Sequence, residues 1–578
     1  MDELNFNYID ENIKNYIGDE NRKFTDIISE EYSKIQSDVK DYVYARRIYM
    51  AKIFKDDIIY LIIDNGLYKI IFNDEVIYST KNIIQWIKFD GIKKRIAFFE
   101  TPGSDNGVLK IIQDDKIIYT EDGYINDIIF SDELYIIKEN RDANNESQRI
   151  MLNNNIVFGK DMKPGMSISG DAYNGKIIIN VSDEASSAIY TGDIDNPESW
   201  KLSKNYFNEV KVLGYKNETL YILDKINYGI IEYNENKIIF DMPVEDALLV
   251  HDGFLVFHLN DAKIEPVLYD FSGKKLREFK MDLPYGIVTS DSDMENALMV
   301  FSSFGISYST YKYSNGGLES VNKNIVSDIK YSEDFIEYNS KRIHYFMLKS
   351  KTESKNVLVY GYGGFNISVT PKYFPLFSFL LNNGINVVMC NLPGGGEYGE
   401  EWHKFGMKEN RINVYTSFKK IIEKLKDDNY NVICYGVSNG GLLSAYTFTD
   451  IPEELNGAII GNPVIDLTVF NKLLAGKYWV SEYGDPDNSE DIKYLKKYSP
   501  LNNIADKKYP PALIYSRIND DRVHPSHALR FYDKLKKYDD KSYLMISNGG
   551  HVGSSLSDVA KEISYIASFT ILVFKNKI

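Results

Sequence analysis

The clearest chemical signal in the sequence is one serine in the pentapeptide Gly436-Val437-Ser438-Asn439-Gly440. This G-x-S-x-G pattern forms a nucleophile elbow when a strand precedes it and a helix follows it, because the sharp turn lifts the hydroxyl above the end of the sheet. The apolar run Val432 to Tyr435 predicts that strand, and the segment from Leu442 predicts that helix. We therefore predict that Ser438 is a nucleophile.

A serine hydroxyl needs a base that takes its proton and an acid that orients this base. In α/β-hydrolases the three residues follow in the order Ser, acid, His. Asp520 lies 82 residues after Ser438, and His551 follows 31 residues later. Each comes directly after an apolar strand-like run, so both are expected on loops at the carboxyl ends of strands. The sequence thus predicts a triad of Ser438, Asp520 and His551.

Of the seven histidines, only His551 stands in a glycine-rich loop after a late strand. His251 and His258 fall in the repeats described below, and His344 precedes the first strand predicted for the second half of the chain. The remaining three compete for the role of base: His403, His524 and His527. We interpret the three competitors as solvated or structural residues.

Other kinds of chemistry have no pattern to support them. We find no His-x-x-x-His, paired carboxylates or cysteine cluster for a metal, and no G-x-x-x-x-G-K-[ST] for a nucleotide. Cys390 and Cys434 both lie in apolar runs and are interpreted as buried thiols. We therefore expect a hydrolase with neither metal nor cofactor.

From residue 328 onward, apolar strands alternate with amphipathic helices, which is typical of a mostly parallel sheet with helices on both faces. The predicted elements are Asn356 to Tyr360, Phe374 to Leu381, Ile385 to Asn391, Val414 to Leu425, Val432 to Tyr435, Gly457 to Ile460, Ala512 to Tyr515, Tyr543 to Ile546 and a last helix running into Ile571. This pattern predicts an α/β-hydrolase catalytic domain over residues 328–578.

The region before it repeats a strand, a polar turn and a second strand. Clear copies are 69–78, 110–119 and 149–158, spaced 41 and 39 residues apart, and weaker copies lie near Ile189-Tyr190, at 230–240, at 267–279 and at 309–318. Seven units of about 40 residues predict a seven-bladed β-propeller over residues 44–327. The alternative is that an Ile-, Asn- and Asp-rich sequence produces such hairpins by chance in another large β-domain. Residues 1–43 look helical, and we expect them to pack on the catalytic domain.

Composition agrees with two soluble domains. The chain has 578 residues, 44% apolar and 26% charged, and lacks the uninterrupted apolar run that a membrane span needs. Its net charge of −16 repels nucleic acid and anionic lipid, so neither is an expected partner. The acidic start Met1-Asp2-Glu3-Leu4 does not look like a signal peptide, and we expect a cytoplasmic protein.

The second half of the chain resembles the prolyl oligopeptidase family of serine peptidases. Five stretches carry the resemblance: 361–366 (GYGGFN), 394–399 (GGGEYG) with Trp402-His403-Lys404, 438–441 (SNGG), 520–523 (DDRV), and Gly550-His551. The resemblance implies a propeller before the hydrolase domain, and hydrolysis on the carboxyl side of proline in short peptides through an acyl-enzyme. It also implies that the propeller caps the site and excludes folded proteins; we favour a monomer.

The resemblance extends to individual residues. It implies an oxyanion hole formed by the Tyr362 hydroxyl and the Asn439 N–H. It also implies a pocket in which Trp479 stacks on the proline ring, and an arginine, Arg522, that binds a substrate carbonyl. The pocket residues are Phe365, Val464, Trp479, Tyr483 and Val523. The sequence departs from the family at Val437, where glycine is usual, at Pro393, where arginine is common, and in its shorter propeller.

Three alternatives stay open. A relative that cleaves after Arg or Lys would need acids in the pocket, and Glu482 is near the slot in sequence without clearly lying in it. An acylaminoacyl peptidase or an esterase could use the same scaffold. A catalytically inert protein that binds partners through its propeller is the most remote alternative, because every catalytic element is present.

Overall fold

The computed structural model describes residues 6, 8–103, 106–142, 145–183, 186–550 and 555–578. The chain divides into two compact units. One comprises Arg46–Ser302 and Tyr308–Asn324, and the other comprises the first 45 residues, Ser303–Ser307 and Ile325–Ile578.

The first unit is a β-propeller, which confirms the predicted fold. Each of its seven blades is a four-stranded sheet whose strands pair in chain order. The blades are β1–β4 (Arg47–Phe54, Asp57–Asp64, Leu67–Phe72, Glu75–Thr80), β5–β8 (Ile83–Asp90, Arg95–Thr101, Gly107–Gln113, Lys116–Gly123), β9–β12 (Ile125–Phe130, Leu134–Asp142, Asn145–Leu152, Asn155–Phe158), β13–β16 (Ser167–Tyr173, Lys176–Ser182, Ser187–Asp193, Lys201–Tyr206), β17–β20 (Val210–Lys216, Thr219–Asp224, Ile230–Tyr233, Asn236–Ile239), β21–β24 (Val244–Val250, Gly253–Asn260, Lys263–Tyr269, Lys275–Glu278) and β25–β28 (Gly286–Ser292, Ala297–Ser303, Ile306–Ser314, Gly317–Ile325).

Asparagine and aspartate set the hairpins that the sequence repeats. The clear copies turn at Asn73-Asp74, Asp114-Asp115 and Asn153-Asn154, and all six residues have positive φ, between 46° and 71°. Two-residue turns of this kind match the twist of the flanking strands, and Asn and Asp tolerate the left-handed region better than most residues. The predicted repeats thus correspond to the third and fourth strands of the blades.

The second unit contains an eight-stranded sheet in the order β29-β30-β32-β31-β33-β34-β35-β36. The strands β29 to β36 are Lys330–Tyr338, Lys341–Lys349, Asn356–Tyr360, Asn386–Cys390, Asn431–Val437, Gly457–Gly461, Ala512–Arg517 and Ser542–Ser547. The six from β31 onward run parallel, while β29 and β30 are antiparallel additions at one edge. The placement of His344 ahead of the first strand of this sheet was wrong, because His344 lies in β30.

Helices cover this sheet and include the N-terminal segment. The helices α1 to α10 of the described residues are Glu11–Tyr44, Pro375–Asn382, Glu400–Lys404, Ile412–Asp427, Asn439–Asp450, Val480–Tyr483, Asp491–Tyr498, Pro500–Asn503, Ser526–Leu535 and Leu556–Phe574. α1 packs against α10, α2 and the edge strand β36. Within the described ranges, no helix is long and apolar enough to cross a membrane.

Candidate active site

Ser438 sits in a strained turn between β33 and α5. Its φ of 59° and ψ of −118° lie outside the regions that non-glycine residues normally occupy. Its N–H donates to the carbonyl of Gly461 at 2.8 Å, which fixes the turn against β34. A Cβ on Gly436 would lie 1.9 Å from the carbonyl oxygen of Gly440, so the crossing of strand and helix requires glycine. The local geometry is that of a nucleophile elbow.

Asn439, the first residue of α5, is buried and ties the neighbouring segments to the elbow. Its Nδ2 donates to the carbonyl of Tyr362 at 2.7 Å, while its Oδ1 accepts from the hydroxyl of Tyr483 at 3.0 Å and from Arg411. Its backbone N–H belongs to the first turn of the helix, where no intrahelical acceptor exists. The two groups proposed for the oxyanion hole, the Asn439 N–H and the Tyr362 side chain, thus come from directly connected residues.

The Tyr362 segment follows β31 and is packed tightly by its glycines. Gly361 donates its N–H to the carbonyl of Tyr435 at 3.3 Å. Gly363 has φ 63°, and a Cβ there would lie 2.4 Å from a methyl of Val414. The side chain of Tyr362 itself is half-buried. Small residues on both sides therefore fix the backbone from which this phenol projects.

Asp520 is buried at 3% exposure in the turn after β35. Its Oδ1 accepts the backbone N–H groups of Arg522 at 3.0 Å and Val523 at 2.8 Å. β35 runs parallel to β33 with β34 between them, so Asp520 and Ser438 lie at the same edge of the sheet. His551, the predicted base, lies outside the described residues, and the triad stays a prediction.

Three aromatic rings of the predicted pocket form an apolar corner. The ring centroids of Phe365 and Tyr483 are 5.5 Å apart, and Trp479 lies 6.5 Å from each. All three interplanar angles fall between 83° and 89°. Val464 and Val523 are buried in the same hydrophobic cluster. The structure therefore brings the three rings together, and the hydroxyl of Tyr483 joins them to Asn439.

Glu482 contacts this corner, and both of its carboxylate oxygens have partners. The sequence did not predict these contacts. Its Oε1 accepts the N–H of Phe365 at 3.0 Å, and its Oε2 contacts His403 Nε2 at 2.7 Å. Arg411 Nη1 lies 3.6 Å from the same carboxylate. Its carboxylate supports the backbone of the pocket.

Arg411 is a buried cation for which the sequence offered no signal. Its guanidinium stacks 4.6 Å from the ring centroid of Tyr483 and bonds to Tyr415 and Asn439. Burial raises the pKa of Tyr483 well above its ordinary value. The phenol therefore stays a hydrogen-bond donor to Asn439.

The competing histidines have structural partners. His527 is buried, and its Nδ1 accepts the N–H of Asp466 at 3.2 Å. Burial, helped by Arg530, holds the pKa of His527 well below its ordinary value. His524 accepts the N–H of Ser526 at 3.1 Å, and His403 is bound to Glu482. These contacts agree with the structural interpretation of all three.

Arg522 is exposed, and in the described part of the chain its guanidinium pairs with no carboxylate. Only its backbone N–H is held, by Asp520. The fork of donors is thus available to a substrate carbonyl.

Cys390 and Cys434 are both buried and free, and burial raises the pKa of the Cys434 thiol to about 12. Neither thiol has the character of a nucleophile.

Residues 371–577 match the prolyl oligopeptidase family. The α/β-hydrolase domain belongs to this family. The prolyl endopeptidase of Dictyostelium discoideum is 32% identical over 348 residues, which cover 54% of this chain and 45% of that protein. The prolyl endopeptidase of Elizabethkingia meningoseptica is 36% identical over 233 residues, covering 38% and 33%. The matched stretches thus span half or less of the length of these relatives.

Two solved structures have the same folds over nearly the full length of this chain. A prolyl endopeptidase structure superposes with a TM-score of 0.88 at 19% identity, covering 98% of this chain and 95% of that one. A post-proline cleaving enzyme from Rickettsia typhi gives a TM-score of 0.85 at 19% identity, covering 99% and 98%. At such identities the likeness establishes the fold: a seven-bladed propeller and an α/β-hydrolase domain.

Proposed function

We propose that this chain is a serine peptidase of the prolyl oligopeptidase type, which hydrolyses the bond on the carboxyl side of proline in short peptides. One observation carries the proposal. The side chain of Asn439, next to the strained Ser438, is bonded both to Tyr362 and to Tyr483 of the aromatic corner. Nucleophile turn, candidate oxyanion donor and apolar slot are therefore parts of one connected site.

The proposed reaction begins with attack of the Ser438 hydroxyl on the carbonyl carbon of the proline residue, while His551 takes its proton. The tetrahedral oxyanion accepts hydrogen bonds from the Asn439 N–H and the Tyr362 hydroxyl. His551 then protonates the leaving amine, and water releases the acyl group by the reverse sequence. Asp520 orients His551 throughout.

The form of the pocket supports proline over a basic residue at the cleavage position. Phe365, Trp479 and Tyr483 offer three perpendicular ring surfaces, which suit a compact apolar ring. A lysine or arginine side chain would need a free carboxylate. Glu482, an acid in contact with this corner, already binds the Phe365 N–H and His403.

The wider setting is also proposed. We infer that short peptides are the substrates, and that Arg522 binds a carbonyl of their backbone. The net charge of −16 opposes binding to nucleic acid. The two buried, unpaired cysteines fit a reducing compartment such as the cytoplasm.

The test is hydrolysis of a blocked Gly-Pro chromogenic amide beside the matching Arg, Phe and acetyl-Ala amides. We expect the Gly-Pro substrate to be preferred by at least about tenfold, since one good apolar fit contributes about 1–3 kcal/mol. Ser438→Ala should remove turnover and fluorophosphonate labelling while leaving circular dichroism unchanged.

Each contrary result has a distinct meaning. Preference for acetyl-Ala would move the function to an acylaminoacyl peptidase, and preference for Arg would contradict the pocket argument. A wild-type protein that neither labels nor turns over would point to the inert binding protein.

A further inference from the structure

Arg517, the last residue of β35, connects three parts of the catalytic domain. Its guanidinium forms a two-pronged ion pair with Glu562 of α10, with Nε–Oε2 at 3.0 Å and Nη2–Oε1 at 2.9 Å. Its Nη1 donates to the carbonyl of Gly550 at 3.1 Å. Its own carbonyl accepts the N–H of Asp520 at 3.2 Å. One residue thus holds a helix, the turn of the candidate acid and Gly550 in the segment after β36.

The hydrogen bond from Arg517 to Gly550 lies just beyond the point where the pairing of β35 with β36 ends. The ladder between β35 and β36 ends at the pair Arg517 and Ser547, with one further bond from the Ile518 N–H to the Ser547 carbonyl at 2.9 Å. Beyond this point the Arg517–Gly550 bond bridges the two segments. Gly549 has φ 132°, a conformation that favours glycine, so the chain turns sharply just before the bridge.

The guanidinium is suited to this task. The side chains of Arg517 and Glu562 are only 13% and 19% exposed, so solvent screens their attraction weakly. Burial alone would lower the pKa of Arg517, but Glu562 outweighs it and the pKa is raised. The planar fork has donors left for Gly550 after it binds the carboxylate, which a lysine ammonium cannot reproduce in fixed geometry.

Gly550 directly precedes His551 in the sequence, and Asp520 is three residues after Arg517. Acyl transfer by a serine depends on placing the base accurately against the acid and the nucleophile, and an error of 1 Å can cost about 100-fold in rate. We propose that Arg517, held by Glu562, is a positioning residue that fixes the chain leading to His551 against the turn that carries Asp520. This inference rests on the proposed function of the site.

The test compares Arg517→Met, Arg517→Lys and Glu562→Gln with the wild type. Arg517→Met should lower kcat about 10–100-fold and change KM less than threefold, because the pocket and the oxyanion donors are untouched. Arg517→Lys should recover only part of the rate, since it restores the charge without the fork. Glu562→Gln should fall between the wild type and Arg517→Met. The acidic limb of the pH profile of kcat/KM, which reports the base, should shift in Arg517→Met.

Lys575→Met is the matched control. It breaks the ion pair of Lys575 with Glu31 at 3.0 Å, which anchors the other end of α10 to α1. We expect kcat within twofold of the wild type, with rates normalised to the fraction of folded enzyme.

Fluorophosphonate labelling separates the possible failures. Wild-type labelling together with an unchanged kcat and pH profile in Arg517→Met would overturn the inference and leave the proposed function standing. An equal loss in Lys575→Met would also overturn it, because the effect would then be general destabilisation. Failure of the wild type to label would overturn both.

Discussion

The proposed catalytic role of Tyr362 depends on its hydroxyl group alone, and Tyr362→Phe removes only that group. The backbone of Tyr362 is held by Asn439 independently of its hydroxyl, so Tyr362→Phe should leave the site in place. If the hydroxyl stabilises the oxyanion, kcat should fall about 100-fold or more with KM nearly unchanged, as for the loss of one such donor. Steady-state kinetics on a blocked Gly-Pro amide measures this effect.

Tyr360→Phe provides the matched control two residues upstream. Tyr360 contacts Phe377 and Tyr435 edge-on and by tilted packing, and burial raises its pKa to about 12. It should keep wild-type kcat. Equal activities of the two variants would remove Tyr362 from the reaction.

At the scale of single residues, the sequence predicted the site features that depend on residues close together in the chain. The elbow of Ser438 is visible because close crossing of strand and helix demands glycines at fixed offsets. The support of the pocket is not visible in this way. Glu482 contacts Phe365 from 117 positions away and His403 from 79. No local pattern links such partners, so the sequence left Glu482 beside the slot.

At the scale of elements, turn chemistry and apolar runs were sufficient for most of the fold. The repeat of strand, polar turn and strand predicted hairpins of the blades, and apolar runs predicted the parallel strands. β29 and β30 were missed as members of the second sheet. β29 is mostly exposed and lacks an apolar run, and its hairpin with β30 resembles the propeller hairpins that precede it. Which sheet a hairpin joins is decided by tertiary packing.

Glu100 of β6 joins two neighbouring blades through one carboxylate. It accepts hydrogen bonds from Tyr78 at 2.6 Å, Thr80 at 2.7 Å, Asn82 at 2.8 Å and Lys110 at 2.6 Å. Burial alone would raise the pKa of Glu100, but these hydrogen bonds, led by that from Lys110, outweigh it and lower the pKa to about 2. The ionised carboxylate is therefore stabilised in the folded state.

This depressed pKa predicts a pH-dependent contribution to propeller stability. The contribution is complete above the unfolded-state pKa near 4.5 and is lost as the pH falls through about 2. Glu100→Gln should therefore lower the free energy of unfolding by up to about 3 kcal/mol at pH 7, with the difference from wild type shrinking below pH 4.5. Urea unfolding across this range measures it.

Glu319→Gln on β28 is the control, because this side chain is exposed. It should unfold like the wild type at every pH. A constant difference between Glu100→Gln and wild type from pH 7 to pH 3 would contradict the assigned ionisation.

At the scale of the whole propeller, the first strands of the blades carry a ring of charges. Most neighbouring first strands contact one another, and each strand carries at least one lysine or aspartate. The residues of the ring are Lys52, Lys88, Asp127, Asp171, Lys211, Asp246 and Asp291. Lys88 pairs with Asp127 at 3.1 Å and with Asp171 at 2.9 Å, and Lys211 pairs with Asp246 at 2.5 Å. Burial alone would lower the pKa of Lys88, but its two carboxylates outweigh this and raise it.

The pair of Lys52 and Asp291 in this ring joins the first blade to the last. In the described residues every blade consists of four consecutive strands, so the first and last blades meet only through contacts of this kind. Asp291 of the last blade accepts the N–H of Ile53 at 2.8 Å and pairs with Lys52 at 3.1 Å. Asp291→Ala would leave that N–H and that ammonium without their partner, which should cost about 2 kcal/mol. We expect faster amide hydrogen exchange in β1 and β25 and wild-type exchange in β13 and β14.

Asp193→Ala is the control, because it removes the exposed pair with Lys176 inside one blade. It should change amide hydrogen exchange little, since such pairs contribute about 0–1 kcal/mol. Unchanged protection of β1 and β25 in Asp291→Ala would mean that apolar packing between β1 and β25, rather than this side chain, closes the ring.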